Sequence, residues 1–223
     1  MPRGENGTRD RLLAAASELF AAKGFHATTV REIADRARVN LASGHYHYGS
    51  KRALYLEVLR AQFADIRDRL RRRGASRDER ELDGLGRAEL LALLEARVQV
   101  MLEILIGPNA GAAGMLMQRE MTDPSEALPV IVDEFIEPMK REMEAIVSRL
   151  VPALDRGAVE HSVFSIVGQA HFFHLAKPVI LKMLKRTRYP RGFPPRLAKH
   201  IATFSAGGME RIAAGQEKRG RHA

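Results

Sequence analysis

The sequence predicts an all-α protein, and three observations support that fold class. Apolar residues recur at the three- and four-residue spacing of a helix along nearly the whole chain. We find no sustained two-residue alternation bounded by hairpin turns, which is the pattern of strands. Capping residues and Gly or Pro breaks separate the helical stretches. We therefore expect helices joined by turns.

The N-terminal stretch predicts two helices in close succession. Residues 12–20 form one apolar stripe, and the helix that carries it is expected to open at a cap on Thr8 and to close at Gly24. Thr29, with Glu32 three residues later, has the pattern of a capping box, in which each residue's side chain bonds the backbone N–H of the other. The pattern predicts a second, short helix that begins after Thr29.

A third short helix and the start of a longer one follow. Asn40 is expected to cap a segment that runs to about Tyr48 and ends at Gly49. Ser50 then caps a helix whose apolar residues keep helical spacing as far as the triple arginine at 71–73. This helix, at about residues 50–73, should link the two halves of the protein.

The remainder of the chain predicts a larger set of helices. Pro138 would lie inside one of them and either kink or divide it, and Pro178 should kink another near its end. The predicted elements are a loop at 74–86, a buried helix at 88–106, helices at 112–121, about 125–150, about 158–185 and about 195–214, and a frayed tail from Gly215.

Composition and length limit the possible classes of protein. With 223 residues the chain is long enough for one large or two small domains. It has no cysteine, which excludes disulfides and thiolate chemistry. No signal-peptide core and no apolar run of membrane-spanning length is present, so we expect a cytoplasmic protein with no membrane partner.

The net charge of +9 is unevenly distributed along the chain. Residues 1–73 hold 15 basic and 8 acidic residues, residues 74–176 hold 9 and 17, and residues 177–223 hold 12 and 2. Both ends are therefore basic and the middle is acidic. A basic segment is typical of a module that binds a polyanion, although solvated helix faces would give the same counts.

The stretch "GHYHYGSK", Gly44 to Lys51, raises the alternative of a nucleotide-binding enzyme. Its two glycines followed by Ser-Lys resemble a phosphate-binding P-loop with the last two residues exchanged. A P-loop, however, follows a strand, whereas a capped helix is expected here, and Ser50 is better used as an N-cap. Two short helices and a tight turn in a basic segment instead favour a helix-turn-helix.

At this point the sequence resembles a known family. The stretch "TRDRLLAAASELFAAKGFHATTVREIADRARVN…YHYGSKRAL" is similar to the DNA-binding domain of TetR/AcrR transcriptional regulators, from about Thr8 to Leu59. The segments "MLMQREMTDPSEAL", "FIEPMK" and "SIVGQAHFFHLAKPVILKML" resemble the C-terminal domain of the CecR-like subgroup. The resemblance implies a three-helix DNA-binding domain at 1–52 and a larger helical domain at 53–223 for effector binding and dimerisation.

The resemblance also implies which residues contact DNA. Residues near the start of the recognition helix should face base edges, where Ser bonds several bases and Leu or Ala touches a thymine methyl. Family positions that hold phosphates fall on hydroxyl or cationic side chains, each of which has an alternative role in capping, packing or solvation. The base-edge candidates are Leu41, Ala42, Ser43 and His45, and the phosphate candidates are Thr29, Tyr46, His47 and Lys51.

Two residues depart from the family pattern. Arg38 occupies a turn position where the family often has glycine, so a positive φ there would carry strain. Gly44 stands where an apolar side chain usually anchors the recognition helix, and glycine inside a helix costs about 0.5–1 kcal/mol relative to alanine. We expect a looser recognition helix that DNA helps to order.

The second half offers candidates for an effector pocket. Paired histidines at 45 and 47 and at 171 and 174 raise the alternative of a metal site, but no HExxH motif accompanies them, and satisfied polar groups are favoured. Methionine adapts to varied apolar shapes, which suits a hydrophobic effector, although core packing explains the same residues. The candidates are Met101, Met115, Met117, Gln118, Gln169, His171, Phe172 and His174.

These observations predict a ligand-responsive, operator-specific transcriptional regulator without cofactor or metal. We expect a homodimeric repressor that binds a near-palindromic operator in double-stranded DNA and is released by a small hydrophobic effector. The family resemblance also implies that the last two helices pair with those of a second copy. The alternatives are sequence-independent nucleic-acid binding and, more weakly, a nucleotide-binding enzyme.

Overall fold

The computed structural model describes residues 3–40, 48–107 and 112–220. All regular elements in these ranges are helical, which confirms the predicted fold class. The chain divides into two compact units. Unit 1 contains residues 1–65 and 111–135, and unit 2 contains residues 66–110 and 136–223, so the division falls within one long helix.

Unit 1 begins with α1 (Arg3–Ala27), which starts earlier than predicted. Thr8 lies inside the helix and does not cap it; its hydroxyl accepts a bond from the side chain of Arg11 at 3.3 Å. The break predicted at Gly24 is present, because this residue takes a non-helical conformation with φ 82°. One glycine therefore bends the helix end toward the turn that follows.

The next two helices follow the predicted capping residues. The short helix α2 (Val30–Ala37) opens with the Thr29–Glu32 capping box and buries Ile33, Ala34 and Ala37. The long helix α3 (Lys51–Arg72) starts after Ser50, whose hydroxyl accepts from the amide of Ala53 at 3.0 Å. Local hydrogen bonds thus set both helix starts.

An aromatic core holds unit 1 together. Phe20 and Phe25 of α1 contact Tyr55 of α3, with ring centroids 4.8 and 5.1 Å apart. A later segment supplies α6 (Ala112–Thr122) and α7 (Leu128–Ile131), and Phe135 just beyond α7 stacks on Phe63 at 4.3 Å. The N-terminal helices are therefore packed with a segment from the middle of the chain.

Unit 2 surrounds the buried helix α5. Its elements are α4 (Glu79–Leu82), α5 (Arg87–Ile106), α8 (Glu137–Leu150), α9 (Arg156–Leu175), α10 (Lys177–Met183) and α11 (Phe193–Gly220). The core of this unit is formed by α5 packed against α8, α9 and α11. Within the described ranges, no helix has the length and apolar content to cross a membrane.

The structure corrects the predicted loop of this half and shows which of the two outcomes expected at Pro138 occurs. The predicted loop at 74–86 contains the short helix α4, which Glu81 helps to cap by accepting from the amide of Asp78 at 3.1 Å. The helix expected from 125 to 150 is divided, with a π-helical turn at Val132–Ile136 just before Pro138. Proline cannot donate the helical hydrogen bond, so the backbone changes register there.

Pro178 divides its helix into α9 and α10 rather than kinking it. The tail predicted to fray from Gly215 is helical through Gly220. Its Gln216 exchanges two bonds with Asp155, at 2.6 Å to the carboxylate and at 3.2 Å from the backbone amide. This side-chain contact holds the end of α11 on the start of α9.

Candidate nucleic-acid interface

A sharp turn after α2 sets the direction in which the chain leaves that helix. Arg38 adopts a left-handed conformation with φ 55° and ψ 48°, as predicted from its place where glycine is common. The amide of Val39 then bonds the carbonyl of Ala34 at 3.0 Å. This is the closing pattern of a helix that ends at a left-handed residue, and it makes a tight turn before residues 41–47.

The start of α2 is a polar cluster built on Glu32. Its carboxylate accepts from the amide and hydroxyl of Thr29 at 2.9 and 3.0 Å, and from the ammonium of Lys23 at 2.6 Å. Lys23, followed by Thr29, lowers the pKa of Glu32 to about 2. The Thr29 hydroxyl is therefore occupied in capping, although the residue is exposed.

Lys51 has a structural role that the sequence did not reveal. Its ammonium donates to the carbonyls of Phe25 at 2.9 Å and Thr28 at 3.1 Å, and lies 3.5 Å from that of His26. It also lies 4.3 Å from the centre of the Phe25 ring. One cation thus satisfies the carbonyls at the end of α1 and ties them to the first turn of α3.

The described residues on either side of 41–47 frame this segment. Gly49 has φ 71° and Ser50 caps α3, so the "GSK" sequence forms a helix start that follows a turn. Tyr48 donates to the carbonyl of Arg9 at 3.2 Å. The remaining DNA candidates, Leu41, Ala42, Ser43, His45, Tyr46 and His47, and the expected effect of Gly44, lie outside the described residues.

The middle segment of the chain contacts the end of α1 through Arg119. Its guanidinium donates to the carbonyls of Ala21, at 3.2 Å, and Ala22. An added Cβ on Gly24 would lie 3.1 Å from the Arg119 side chain, so glycine also leaves room for this contact. His26 lies 3.3 Å from the carbonyl of Pro124. These hydrogen bonds therefore hold α6 against the end of α1.

A buried carboxylate makes the second link between α6 and the N-terminal helices. Glu120 is only 2% exposed and accepts from the Tyr55 hydroxyl at 2.6 Å and the Ser125 amide at 3.1 Å. Burial, followed by the bond to Glu120, raises the pKa of Tyr55. Sequence reasoning missed this pair, although Glu120 follows Leu116 by four residues and so shares its buried face.

The effector candidates fall in both units. Met115, Met117 and Gln118 belong to unit 1, and the other five belong to unit 2. In unit 2 the carbonyl of Leu105 lies 2.8 Å from Nδ1 of His174, whereas Gln169 donates to Ser205 of α11 at 3.1 Å. These contacts place His174 and Gln169 on opposite flanks of α9, and Phe172 is exposed. Met101 is partly buried against the core of unit 2.

Two histidines of α9, His171 and His174, each lie within hydrogen-bond distance of a backbone carbonyl. Nδ1 of His171 lies 3.0 Å from the carbonyl of Val167, in the preceding turn of the same helix. A carbonyl only accepts, so Nδ1 carries the proton in both His171 and His174. Among the residues that the structure describes, no cluster of three metal-ligating side chains occurs.

Comparisons with known proteins identify this helical chain, with its tight turn after α2, as a helix-turn-helix regulator and give its family. Residues 12–58 match the model for bacterial regulatory proteins of the tetR family, and residues 90–209 match that for the C-terminal domain of the HTH-type transcriptional dual regulator CecR. The chain belongs to the TetR family and carries a CecR-type C-terminal domain.

Individual relatives agree with this assignment. The chain is 29% identical to the dual regulator CecR of Shigella flexneri over 184 residues, which cover 80% of each chain. It is 43% identical to the transcriptional repressor KstR2 of Rhodococcus jostii over 63 residues, only 28% of this chain and 31% of that protein. The fold resembles the fatty acid degradation regulator FadR of Bacillus halodurans, with 14% identity, a TM-score of 0.62, and 90% and 95% of the two chains covered.

Proposed function

We propose that this DNA-binding transcriptional regulator is a homodimeric repressor that releases a near-palindromic operator when a small hydrophobic effector binds. The observation that carries the proposal is the frame around residues 41–47, made by the left-handed turn at Arg38 and the capped start of α3 at Ser50. This frame suits a recognition helix in a major groove. The name of the relative KstR2, a repressor, supports the direction of control.

Residues 41–47 supply the DNA contacts in this proposal. Leu41, Ala42, Ser43 and His45 face base edges, and Tyr46 and His47 bind phosphates. The Thr29 hydroxyl is proposed to act in capping rather than as a phosphate contact. Lys51 is proposed to position the domain by binding the carbonyls at the end of α1 rather than a phosphate. Its ammonium already has three carbonyl acceptors within 3.5 Å, which supports a positioning role.

The face shared by α9 and α11 is proposed to pair with a second copy. Phe164 and Phe204 on this face are large, apolar and exposed. Gly168, Gly207 and Gly208 have open space beside them, which permits helices of a partner to approach closely. A twofold pair can then present its recognition helices to successive major grooves about 34 Å apart.

Effector binding is proposed to act through the contacts of α6. We place the effector in the CecR-type domain, with Met117 and Gln118 of α6 as the first residues to test. A shift of α6 on binding would move Arg119 and Glu120, which hold α1 and α3 of the same unit. The recognition segment would then change position, because Lys51 ties α1 to the start of α3.

Selection of bound fragments from a genomic library at physiological salt tests this function. The wild type should enrich one near-palindrome, and variants Ser43→Ala and His45→Ala should lose that preference. The exposed Met121→Ala serves as the matched control in unit 1 and should behave like the wild type. Uniform recovery of all fragments would instead support sequence-independent binding, which also depends steeply on salt.

A further inference from the structure

The segment from α10 to the start of α11 carries a concentration of positive charge. Residues 177–199 contain eight basic residues and no acidic one. All of them are exposed except Lys177, which is half-buried. We call this set the basic face; its members are Lys177, Lys182, Lys185, Arg186, Arg188, Arg191, Arg196 and Lys199.

The basic face differs from the cations of unit 2 that form ion pairs. Arg73, Arg97, Lys140 and Arg149 each pair with a carboxylate at 2.7 to 3.1 Å. Within the described part of the chain, no carboxylate lies within 4.0 Å of a charged nitrogen of the basic face. The positive field of this surface is therefore not neutralised by the chain itself.

The basic face is built on an ordered backbone. Lys185 takes a left-handed conformation with φ 53°, and the amide of Arg186 bonds the carbonyl of Leu181 at 2.9 Å, which closes α10. Tyr189 is buried, donates to the carbonyl of Phe173 at 2.8 Å and stacks on Phe193 at 4.5 Å. These contacts fix the backbone that carries the cations.

Large apolar side chains are exposed in the same segment of the chain. Met183 is 76% exposed, Val179 is 61% exposed and Leu184 is 50% exposed. Val179 and Met183 are four residues apart and share the outer side of α10, while Leu181 points into the core. A solvated helix normally carries polar residues on its outer side, so the pattern here indicates a surface that meets an apolar partner.

We propose that the basic face and the exposed apolar residues of α10 dock on the surface of a bilayer that contains anionic phospholipid. Cations near such a surface are attracted to its headgroups, and apolar side chains enter the boundary between headgroups and acyl chains. The sequence alone predicted no membrane partner because no segment can span a bilayer, but docking at the surface needs no spanning helix.

Two other occupants explain the surface less well. A nucleic acid would use the cations but leaves Val179, Met183 and Leu184 without a role. A second copy has the α9–α11 face available, whereas two basic faces brought together would repel each other. The inference is independent of the operator binding proposed above.

Vesicle co-sedimentation of the full-length protein tests the proposal. Vesicles of phosphatidylglycerol mixed with phosphatidylcholine are compared with vesicles of phosphatidylcholine alone. One variant removes charge (Lys182→Gln, Lys185→Gln, Arg186→Gln) and another removes apolar area (Val179→Ser, Met183→Ser). The matched controls are Arg77→Gln, Arg80→Gln, Arg156→Gln for charge and Met121→Ser, Val132→Ser for exposed apolar area.

We expect the wild type and both controls to bind the anionic vesicles. Each cation near the surface contributes a factor of about five, so the charge variant should bind on the order of 100-fold more weakly. The apolar variant should also bind more weakly, by roughly 10-fold for two side chains. Operator binding should be unchanged in both.

Several results would overturn the proposal. One such result is that the wild type fails to bind anionic vesicles. Another is that the charge and apolar variants bind these vesicles as well as their controls do. Loss of the dimer in either variant, measured by light scattering, would assign the surface to a second copy. A lower salt dependence of DNA binding in the charge variant, with the apolar variant unaffected in both assays, would assign it to nucleic acid.

Discussion

Replacing Lys51 by methionine should destabilise unit 1 without removing a phosphate contact. The substitution keeps most of the apolar stem and removes the ammonium that donates to the carbonyls of Phe25 and Thr28. A hydrogen bond to a charged group contributes about 1.5–3 kcal/mol, and a cation beside an aromatic ring at an exposed site about 0.5–1 kcal/mol. Because Lys51 is half-buried, we take the lower ends and expect a loss of about 2 kcal/mol.

Two measurements separate the positioning role from a phosphate contact. Urea unfolding followed by circular dichroism gives the stability change, with the exposed neighbour Arg52→Met as the control. Operator affinity measured over a range of salt concentrations gives the number of phosphate contacts, since each contributes about 0.9 to the slope. We expect lower stability and an unchanged slope for Lys51→Met. Unchanged stability together with a slope lower by about one would refute the positioning role.

Three further predictions concern the same unit. Tyr55→Phe removes the hydrogen bond that the Tyr55 hydroxyl donates to the buried Glu120 carboxylate. It should lower the free energy of unfolding, measured in urea, by about 1–3 kcal/mol. Equal stability would mean that Glu120 finds another donor. The ionised Glu32 carboxylate stabilises the fold at pH values above its ordinary pKa of 4.5, and this stabilisation is lost as the pH falls toward about 2. Glu32→Gln should therefore flatten the dependence of melting temperature on pH between these values. Parallel curves for variant and wild type would contradict this. Arg38→Gly should raise the free energy of unfolding by about 0.5–1 kcal/mol, because glycine adopts the left-handed conformation without strain. A loss of stability would show that the arginine side chain makes a compensating contact.

Much of the local structure was predictable because it depends on neighbouring residues. The capping box of Thr29 and Glu32, the left-handed turn at Arg38 and the cap at Ser50 each involve residues within four positions of one another. Such signals are set by backbone geometry and side-chain type, so the order of the first helices could be inferred directly. The helix break at Gly24 follows from the same local preference.

The errors arose where the outcome depended on distant partners or on competing local preferences. Thr8 was predicted as a cap, but the helix continues through it to Arg3. The tail was predicted to fray, yet Gln216 is held by Asp155, a contact between residues 61 positions apart. His171 and His174 are three residues apart on α9, yet His171 lies near a carbonyl of its own helix and His174 near the carbonyl of Leu105, and the helices packed around α9 decide which.

The sequence by itself determined the fold class, the helix-turn-helix and the family, because helical periodicity, capping signals and the long family motif all depend on residues close together in the sequence. Only the tertiary structure decided the role of Lys51, whose acceptors lie more than 20 positions away, and the contact of Glu120 with Tyr55 across 65 positions. It also decided which side chains of α10 are exposed. Contacts and exposure of this kind result from packing between distant segments, and no local pattern contains that information.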